Sequence, residues 1–299
     1  LQYWTVEPHP PRQLRYVTSM TDQPHVGSGR IALLTRHAKG ALVAPPLAAL
    51  GLEVSVTDAF DTDQLGTFSG EVARTLSPLD CARRKAQLAC ELTGLDLGLG
   101  SEGSFGGGPM AGLVNWDEEL LLLWDRRSGQ EVVARAAGPV RVAAFTWESE
   151  AQLVAHLAPF PSAQGWIIRH PAGVSKGLCS VAAVLEELHA NVLPRLPTGD
   201  AHSVRIEPDL RAMHCPERQT YIRQAAEQLA QRLHTACPHC TAPNFWPDDH
   251  VPGLPCADCD APTSLPLLAL RRCSVCGHEQ GEPVTPPVAE PQYCSWCNP

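Results

Sequence analysis

Apolar residues in this chain come in short runs broken by glycine, proline and polar clusters. Residues 31–35 form one such run, ending in Thr-Arg-His-Ala-Lys-Gly. A brief helical piece follows, stopped by Gly51, and residues 52–56 are rich in valine. This spacing predicts strand, loop, helix, strand. The next helix has clear end signals: Ser77 as N-cap, Pro78 at the first helical position, Asp80 completing a Ser-x-x-Asp capping box, and Gly94 as the stop. Ala82, Ala86, Ala89 and Leu92 form its expected buried face. Residues 95–100 read as a strand leading into a loop over 101–112, and 119–125 with 131–137 as two strands around an Arg-Ser-Gly turn. Ser149 with Gln152 opens a short helix; 166–169 is a strand, 181–192 a helix and 204–207 a strand. Pro216 begins a last helix in which Ile222, Ala225, Ala226, Leu229 and Leu233 keep helical spacing. Such alternation predicts an α/β domain of about 200 residues.

Composition sets bounds on this picture. With 299 residues and 44% hydrophobic content, the chain has room for about two domains and a sizeable core. A net charge of -9 disfavours nonspecific binding to nucleic acid. No stretch reaches the ~18 consecutive apolar residues of a membrane span, and the longest candidate, 41–52, contains Pro45 and Pro46. No basic segment is followed by an apolar run and a small-residue cleavage site, so a cytoplasmic location is expected, with cysteines reduced and free to bind metal. Residues 1–28 are expected to be a disordered N-terminal extension, with Met20 a candidate start. Residues 29–235 are then the α/β catalytic domain and 236–299 a zinc-ribbon domain.

The C-terminal region carries the most specific signal. Cys237/Cys240, Cys256/Cys259, Cys273/Cys276 and Cys294/Cys297 are four Cys-x-x-Cys pairs separated by 15, 13 and 17 residues. Zinc takes four thiolates in a tetrahedron, and two intervening residues let one tight turn aim both sulfurs at one ion. Pro238, Gly253, Pro255 and Gly277 suit such knuckles. Eight cysteines make two sites with no vacant position, so two structural zinc ions are expected. Sequential pairing, first with second and third with fourth, gives two ribbons and is the preferred arrangement; an interleaved cross-brace is the alternative. Two arginines, Arg271 and Arg272, face seven carboxylates from 237 to 299, a local balance of -5 that argues against nucleic acid as the partner. Trp246, Tyr293 and Trp296 offer a protein-binding or base-stacking face, or pack over the knuckles, the commoner use.

Candidate chemistry in the larger part is more diffuse. The segment 61–71 concentrates Asp61, Asp63 and Glu71 among glycines and hydroxyls, an oxygen-rich surface of the kind magnesium takes, or else a solvated loop. Glu102 stands alone among small residues in 100–108, where a bare backbone permits close approach by a ligand. Gly98, Gly100 and Gly103 spell GxGxxG, but Gly-Gly-Gly-Pro follows and no helix can start there, so a dinucleotide site is excluded. His214-Cys215 followed by Arg218 has two residues between cysteine and arginine where a tyrosine-phosphatase loop needs five, and Cys215 reads as the residue leading into a helix. For phosphate there are Arg36, His37 and Lys39 after the first strand and Arg84 and Lys85 on the capped helix. Lys176, Asp209, Arg211, His214 and Arg218 are candidates for the far side of a cleft.

The motifs Asp-Thr-Asp-x-Leu-Gly-Thr-Phe-x-Gly-Glu (61–71), Ser-Glu-Gly-Ser-Phe-Gly (101–106), Asp-x-Arg-Ala (209–212), Cys-Pro-x-Cys (237–240) and Gly-Leu-Pro-Cys-x-x-Cys (253–259) together resemble a bacterial family known only as a domain of unknown function. More distantly, Ile-Ala-Leu-Leu-Thr-x-His-x-Lys, the acidic Thr-Phe loop, Ala-Arg-x-Lys-Ala and Thr-Gly-Leu-Asp-Leu-Gly-Leu-Gly-Ser-Glu-Gly are similar, in that order, to the inosine/xanthosine triphosphatase-like enzymes over about residues 30–137. His37 stands where that fold often has asparagine. This resemblance implies a two-lobed, mixed-sheet α/β fold and a magnesium-dependent hydrolase acting on a nucleotide or related phosphate compound. Asp61, Asp63, Glu71 and Glu102 would hold the metal and orient water, and Arg36, Lys39 and Lys85 would neutralise phosphate, with Glu102 the preferred metal ligand or general base. The competing expectation is a noncatalytic zinc-ribbon adaptor that binds a protein or nucleotide partner.

Overall fold

The computed structural model describes residues 29–65, 75–109, 112–197 and 200–299. Strands β1 (Arg30–Leu34), β2 (Glu53–Thr57), β3 (Leu97–Phe105), β4 (Trp116–Asp125) and β5 (Glu131–Pro139) form one sheet in the order β2-β1-β3-β4-β5. Its first three members are parallel and its last three antiparallel. Helix α1 (Gly40–Ala48) links β1 to β2, and α2 (Pro78–Thr93) links β2 to β3 on the far side of β1. The strand order therefore reverses at β1, and the C-terminal ends of β1 and β3 flank a topological switch point.

Alternation along each strand sorts the side chains between two helical layers. Ile31, Leu33, Leu99, Leu121 and Leu123 pack on α1 and on the long helix α5 (Pro216–His234), whose Ile222, Ala225, Ala226, Leu229 and Leu233 are the predicted apolar stripe. Ala32, Leu34, Leu120 and Leu122 face α2. Each fully buried aliphatic side chain of this kind contributes about 1.5–3 kcal/mol. The caps of α2 are as expected: Ser77 accepts a bond from Asp80 N at 3.1 Å, and Gly94 takes φ +73° as C-cap. Leu92 does not join the buried face; it is exposed, while Leu88, on the flank beside Ala82, Ala86 and Ala89, is buried.

The expected loop from 101 is also corrected, because β3 continues to Phe105 with Ser101 to Phe105 paired against Leu121 to Asp117 of β4. Its glycines are packing devices. A Cβ on Gly98 or Gly100 would lie 2.0 or 1.8 Å from the carbonyl oxygens of Ala86 and Ala82, so α2 rides directly on the strand backbone. This explains the GxGxxG spelling without a nucleotide loop.

A second, antiparallel sheet contains β6 (Phe145–Thr146), β7 (Trp166–His170), β8 (Gly173–Leu178) and β9 (Arg205–Pro208), in the order β6-β9-β7-β8. Helices α3 (Glu150–Leu157) and α4 (Val181–Glu187) cover it, closing a core around Trp147, Trp166, Ile168 and Ile206. A third sheet, which the sequence did not predict, is the antiparallel set β10 (Pro247–Pro252), β11 (Pro266–Arg272) and β12 (Glu279–Pro283). No helix among the described residues is long and apolar enough to cross a membrane.

Candidate functional site

Lys39 is the N-cap residue of α1 and is buried where the loop after β1 meets β3. Its ammonium donates to Ser101 Oγ at 2.9 Å and lies 3.7 Å from Glu119 Oε2. Glu119 in turn pairs with Arg218 from the first turn of α5, and Arg218 also donates to Leu210 O at 2.6 Å and lies 5.7 Å over the Phe105 ring. This pair needs the glycine opposite Glu119: a Cβ on Gly103 would stand 2.5 Å from the guanidinium and 2.6 Å from the carboxylate. Asp117, two residues before Glu119 and so on the same sheet face, is 0% exposed, and neither carboxylate oxygen has a hydrogen-bond partner.

Burial lowers the Lys39 ammonium to about 8, against the pull of Glu119 and with a further push from Arg218. Burial raises Asp117 to about 7, and Glu119 adds to the rise while Arg218 and Lys39 oppose it. An amine and a carboxyl are thus both brought towards neutrality, the range in which a side chain can give and take protons.

The other predicted residues separate into distinct groups. Glu102 points to the opposite face of β3, where it pairs with Lys85 and accepts from the Cys81 thiol at 2.9 Å. Burial would raise its pKa, but Lys85 and Lys39 outweigh burial and hold it below the ordinary carboxylate range. Arg36 pairs with Asp61 at 2.8 Å on the surface, and His37 N donates to Thr35 Oγ1 at 3.2 Å. The side chain of Asp63 and all of Glu71 lie outside the described residues. Among the described residues no carboxylate group converges as a metal site, so the expected magnesium set is not assembled by Asp61 and Glu102. Arg84 pairs with Glu91. Asp209 is fully buried and bidentate with Arg211, with His214 Nε2 at 3.9 Å from Oδ2; Lys176 is an exposed residue of β8. Cys215 is the buried N-cap residue of α5, its thiol raised to about 11 by burial, as suits a structural position.

The cysteines gather into two tetrads, Cys237/Cys240/Cys273/Cys276 and Cys256/Cys259/Cys294/Cys297. Sulfur separations across pairs are 3.7 and 3.5 Å in the first and 3.9 and 3.6 Å in the second. A tetrahedral ion with Zn–S near 2.3 Å requires about 3.8 Å, so each tetrad can hold one zinc. The pairing is interleaved and corrects the preferred sequential arrangement. Each inter-pair segment contains a strand, and one strand of ~3.3 Å per residue carries the chain to the other end of the sheet. First and third pairs therefore meet at one end, second and fourth at the other. The fourth returns through Ala289, which bonds to Pro255 O and receives Ala257 N. Knuckle N–H groups of Cys297 and Trp296 bring the Cys294 thiol down to about 7, favouring the thiolate that binds metal.

A family model described as a domain of unknown function, DUF6671, matches residues 85–299. The chain belongs to this family. No curated protein and no solved structure matches it. The DUF6671 match includes β3, Asp117, Glu119, Arg218 and both tetrads, and begins after Lys39 and the acidic loop. Of the switch-point residues in this DUF6671 protein, sequence reading missed Ser101, Asp117 and Glu119. Their signal is the alternation of 117 and 119 at the head of an apolar strand, visible only if β4 starts at Trp116.

Proposed function

We propose that the protein is a hydrolase of a nucleotide or related phosphate compound, working at the switch point between β1 and β3, with the zinc region as a structural element. The observation that carries the proposal is Asp117, a carboxyl with no exposure and no hydrogen-bond partner, in the field of Lys39, Arg218 and Glu119. An orphaned buried carboxyl costs stability and marks a site where a ligand or a proton completes the bonding. Further support comes from α1, whose N-terminus has no side-chain cap and follows β1 through a short loop, a placement that favours anions. In this reading Lys39 and Arg218 stabilise the charge that builds on the leaving phosphate, and Asp117 exchanges the proton with water or the leaving group. Ser101 and Glu119 position Lys39 and Arg218. Magnesium is given no step, since the described carboxylates do not gather to hold it.

The test is product release from a panel of nucleoside triphosphates by the full-length, zinc-loaded protein. Turnover is expected, with Asp117→Asn and Lys39→Met abolishing it at unchanged zinc content. A panel giving no product, or variants as active as the parent, would sink the reading. A second reading, an adaptor that binds a protein, is favoured by one observation: Val275 and Trp296 occupy the same place in the two Cys-Ser-x-Cys knuckles and are 60% and 80% exposed. If it holds, Trp296→Ala weakens a partner complex and leaves both zinc ions in place.

A further inference from the structure

We propose that Cys179, His214 and Asp209 form a cysteine-nucleophile site for acyl transfer from esters or thioesters. Of the twelve cysteines, eight belong to the tetrads, and Cys81, Cys90 and Cys215 are buried. Cys179, just after β8, is the exposed one that remains. Its sulfur lies 3.7 Å from His214 Nδ1 and 3.2 Å from Gly177 O. On the other edge of the ring, Nε2 lies 3.9 Å from Asp209 Oδ2. Thiol and carboxylate thus address different nitrogens of one imidazole. That arrangement serves a proton relay, whereas a shared metal would need all three donors turned to one point.

The main chain fixes the imidazole and the carboxylate. Gly165 N donates to His214 O at 2.7 Å, Asp209 N donates to Gly165 O at 2.8 Å, and Gln164 Nε2 donates to Asp209 O at 3.3 Å. Gly165 is required at this crossing, because a Cβ there would stand 2.7 Å from the Cβ of His214. Arg211 holds the Asp209 carboxylate in place, Nε donating to Oδ1 at 3.0 Å and Nη2 to Oδ2 at 2.6 Å, so the oxygen 3.9 Å from the ring is fixed by the guanidinium and acts on His214 through its charge. Gly177, at φ +74°, lies over the Nε2–Cε1 edge of the imidazole, where a Cβ would stand 3.6 Å from Nε2.

The chemistry follows from these placements. With the ring proton on Nε2, facing Asp209, His214 Nδ1 accepts the thiol proton as sulfur attacks the carbonyl carbon. The C–S bond forms, the carbon–oxygen or carbon–sulfur bond to the leaving group breaks, and the imidazolium returns that proton to the departing alkoxide or thiolate. Water, activated by the same nitrogen, then attacks the thioester, releasing the carboxylic acid and restoring the thiol. Esters and thioesters are the fitting class because alkoxide and thiolate are better leaving groups than an amide nitrogen, which must be protonated before its bond to carbon can break. Asp209 is a positioning residue acting through His214.

The experiment uses the full-length, zinc-loaded protein with p-nitrophenyl acetate as probe, following nitrophenolate release and peptide mass. The expected result is a burst of one equivalent with an acetyl group on Cys179, and no burst in Cys179→Ser. His214→Gly should slow the burst about 100-fold or more, and added imidazole should restore part of it, which a merely structural histidine would not allow. Asp209→Asn should lower the acylation rate at saturating probe with half-saturation unchanged. Should His214→Gly fold poorly, Gly165→Ala, which crowds His214 out of place, supplies the same comparison. Acetylation of Cys179 at equal rates with and without His214, or an acetyl group found on other residues only, overturns the proposal.

Discussion

The cysteine tetrads and the switch-point cluster manage ionisable groups in opposite ways. Each tetrad is built from two four-residue knuckles, one of which already favours the Cys294 thiolate through its backbone N–H groups, and a bound metal would supply the missing positive charge. The switch-point cluster has no such local unit. Lys39 meets Ser101 across 62 residues and Arg218 meets Glu119 across 99, and these charges neutralise one another inside the protein. One region can therefore be held by an external ion, the other by its own opposite charges, and loss of a single member should have different consequences in each.

The largest effect expected is metal removal. A structural zinc is worth on the order of 10 kcal/mol to a small region with little core, so a strong chelator should take the protein from two zinc ions to none and abolish the β10–β12 sheet, read by atomic absorption and by backbone NMR. The pairing is tested by the double variant Cys240→Ser/Cys276→Ser. Both residues belong to one interleaved tetrad, so one zinc should remain; sequential pairing would leave none.

Next in size is the buried ion pair. Arg218→Met takes from the Glu119 carboxylate its hydrogen-bonded partner, leaving only the Lys39 ammonium at 3.7 Å, and should cost about 3–5 kcal/mol in urea unfolding. Adding Glu119→Gln should recover part of the loss, since the uncompensated charge disappears with it. A loss below about 1 kcal/mol would mean that Glu119 is not sealed from water and that the contrast with the tetrads fails.

Asp117 gives a smaller effect with a definite sign. Its folded pKa of about 7 lies above the ordinary 3.8, so the folded protein binds the extra proton and stability falls as pH rises. The contribution is complete below about pH 4 and gone above about pH 7. Asp117→Asn is neutral throughout, so it should flatten that slope, gaining up to about 4 kcal/mol above neutrality at about 1.4 kcal/mol per unit and nothing in acid. Lys39 works the other way: its pKa is depressed to about 8, so stability should climb as pH rises from there towards 10.5. Together they place a minimum of stability near neutral pH. A flat profile between pH 4 and 7 would count against Asp117 as a buried, unpartnered group.

What sequence reading recovered follows the same division. The Cys-x-x-Cys spacing, the Ser77 and Gly94 caps and the α5 stripe are signals contained within one or two turns of chain, and each is present in the structure. The interleaving of the tetrads was missed because polar, proline-containing runs such as Pro247–Pro252 carry no strand alternation, and without the strands there is no reason for the chain to change ends. The end of β3 was missed because Gly100 answers to Ala82 of α2, Ser101 to Lys39, and Gly103 to Glu119 and Arg218, none of them a local neighbour, rather than to strand propensity. Lys39 and Arg218 were legible as phosphate candidates by residue type, but their buried partners were not, since no local pattern joins positions 39, 101, 119 and 218.

The smallest predicted effect tests whether the two regions are coupled. Helix α5 carries Arg218 in its first turn and Arg232 in its last. Arg232 pairs with Asp248, donates from Nη1 to Asn244 Oδ1 at 3.2 Å and lies 5.3 Å over the Trp246 ring, while Asn244 N donates to Arg232 O at 2.8 Å. These contacts fasten the zinc region to the end of the helix whose other end holds the switch-point pair. Asp248 is half-exposed, so Asp248→Asn should cost only about 0.5–1 kcal/mol. Hydrogen exchange is the sharper readout: the last turn of α5 should exchange faster in this variant while the turn at Arg218 stays protected. Chelated protein should extend the faster exchange along the whole helix if the zinc region acts as its clamp. Protection in α5 that is indifferent to zinc would make the two regions neighbours without coupling, and the contrast between them would then describe two independent solutions rather than one connected device.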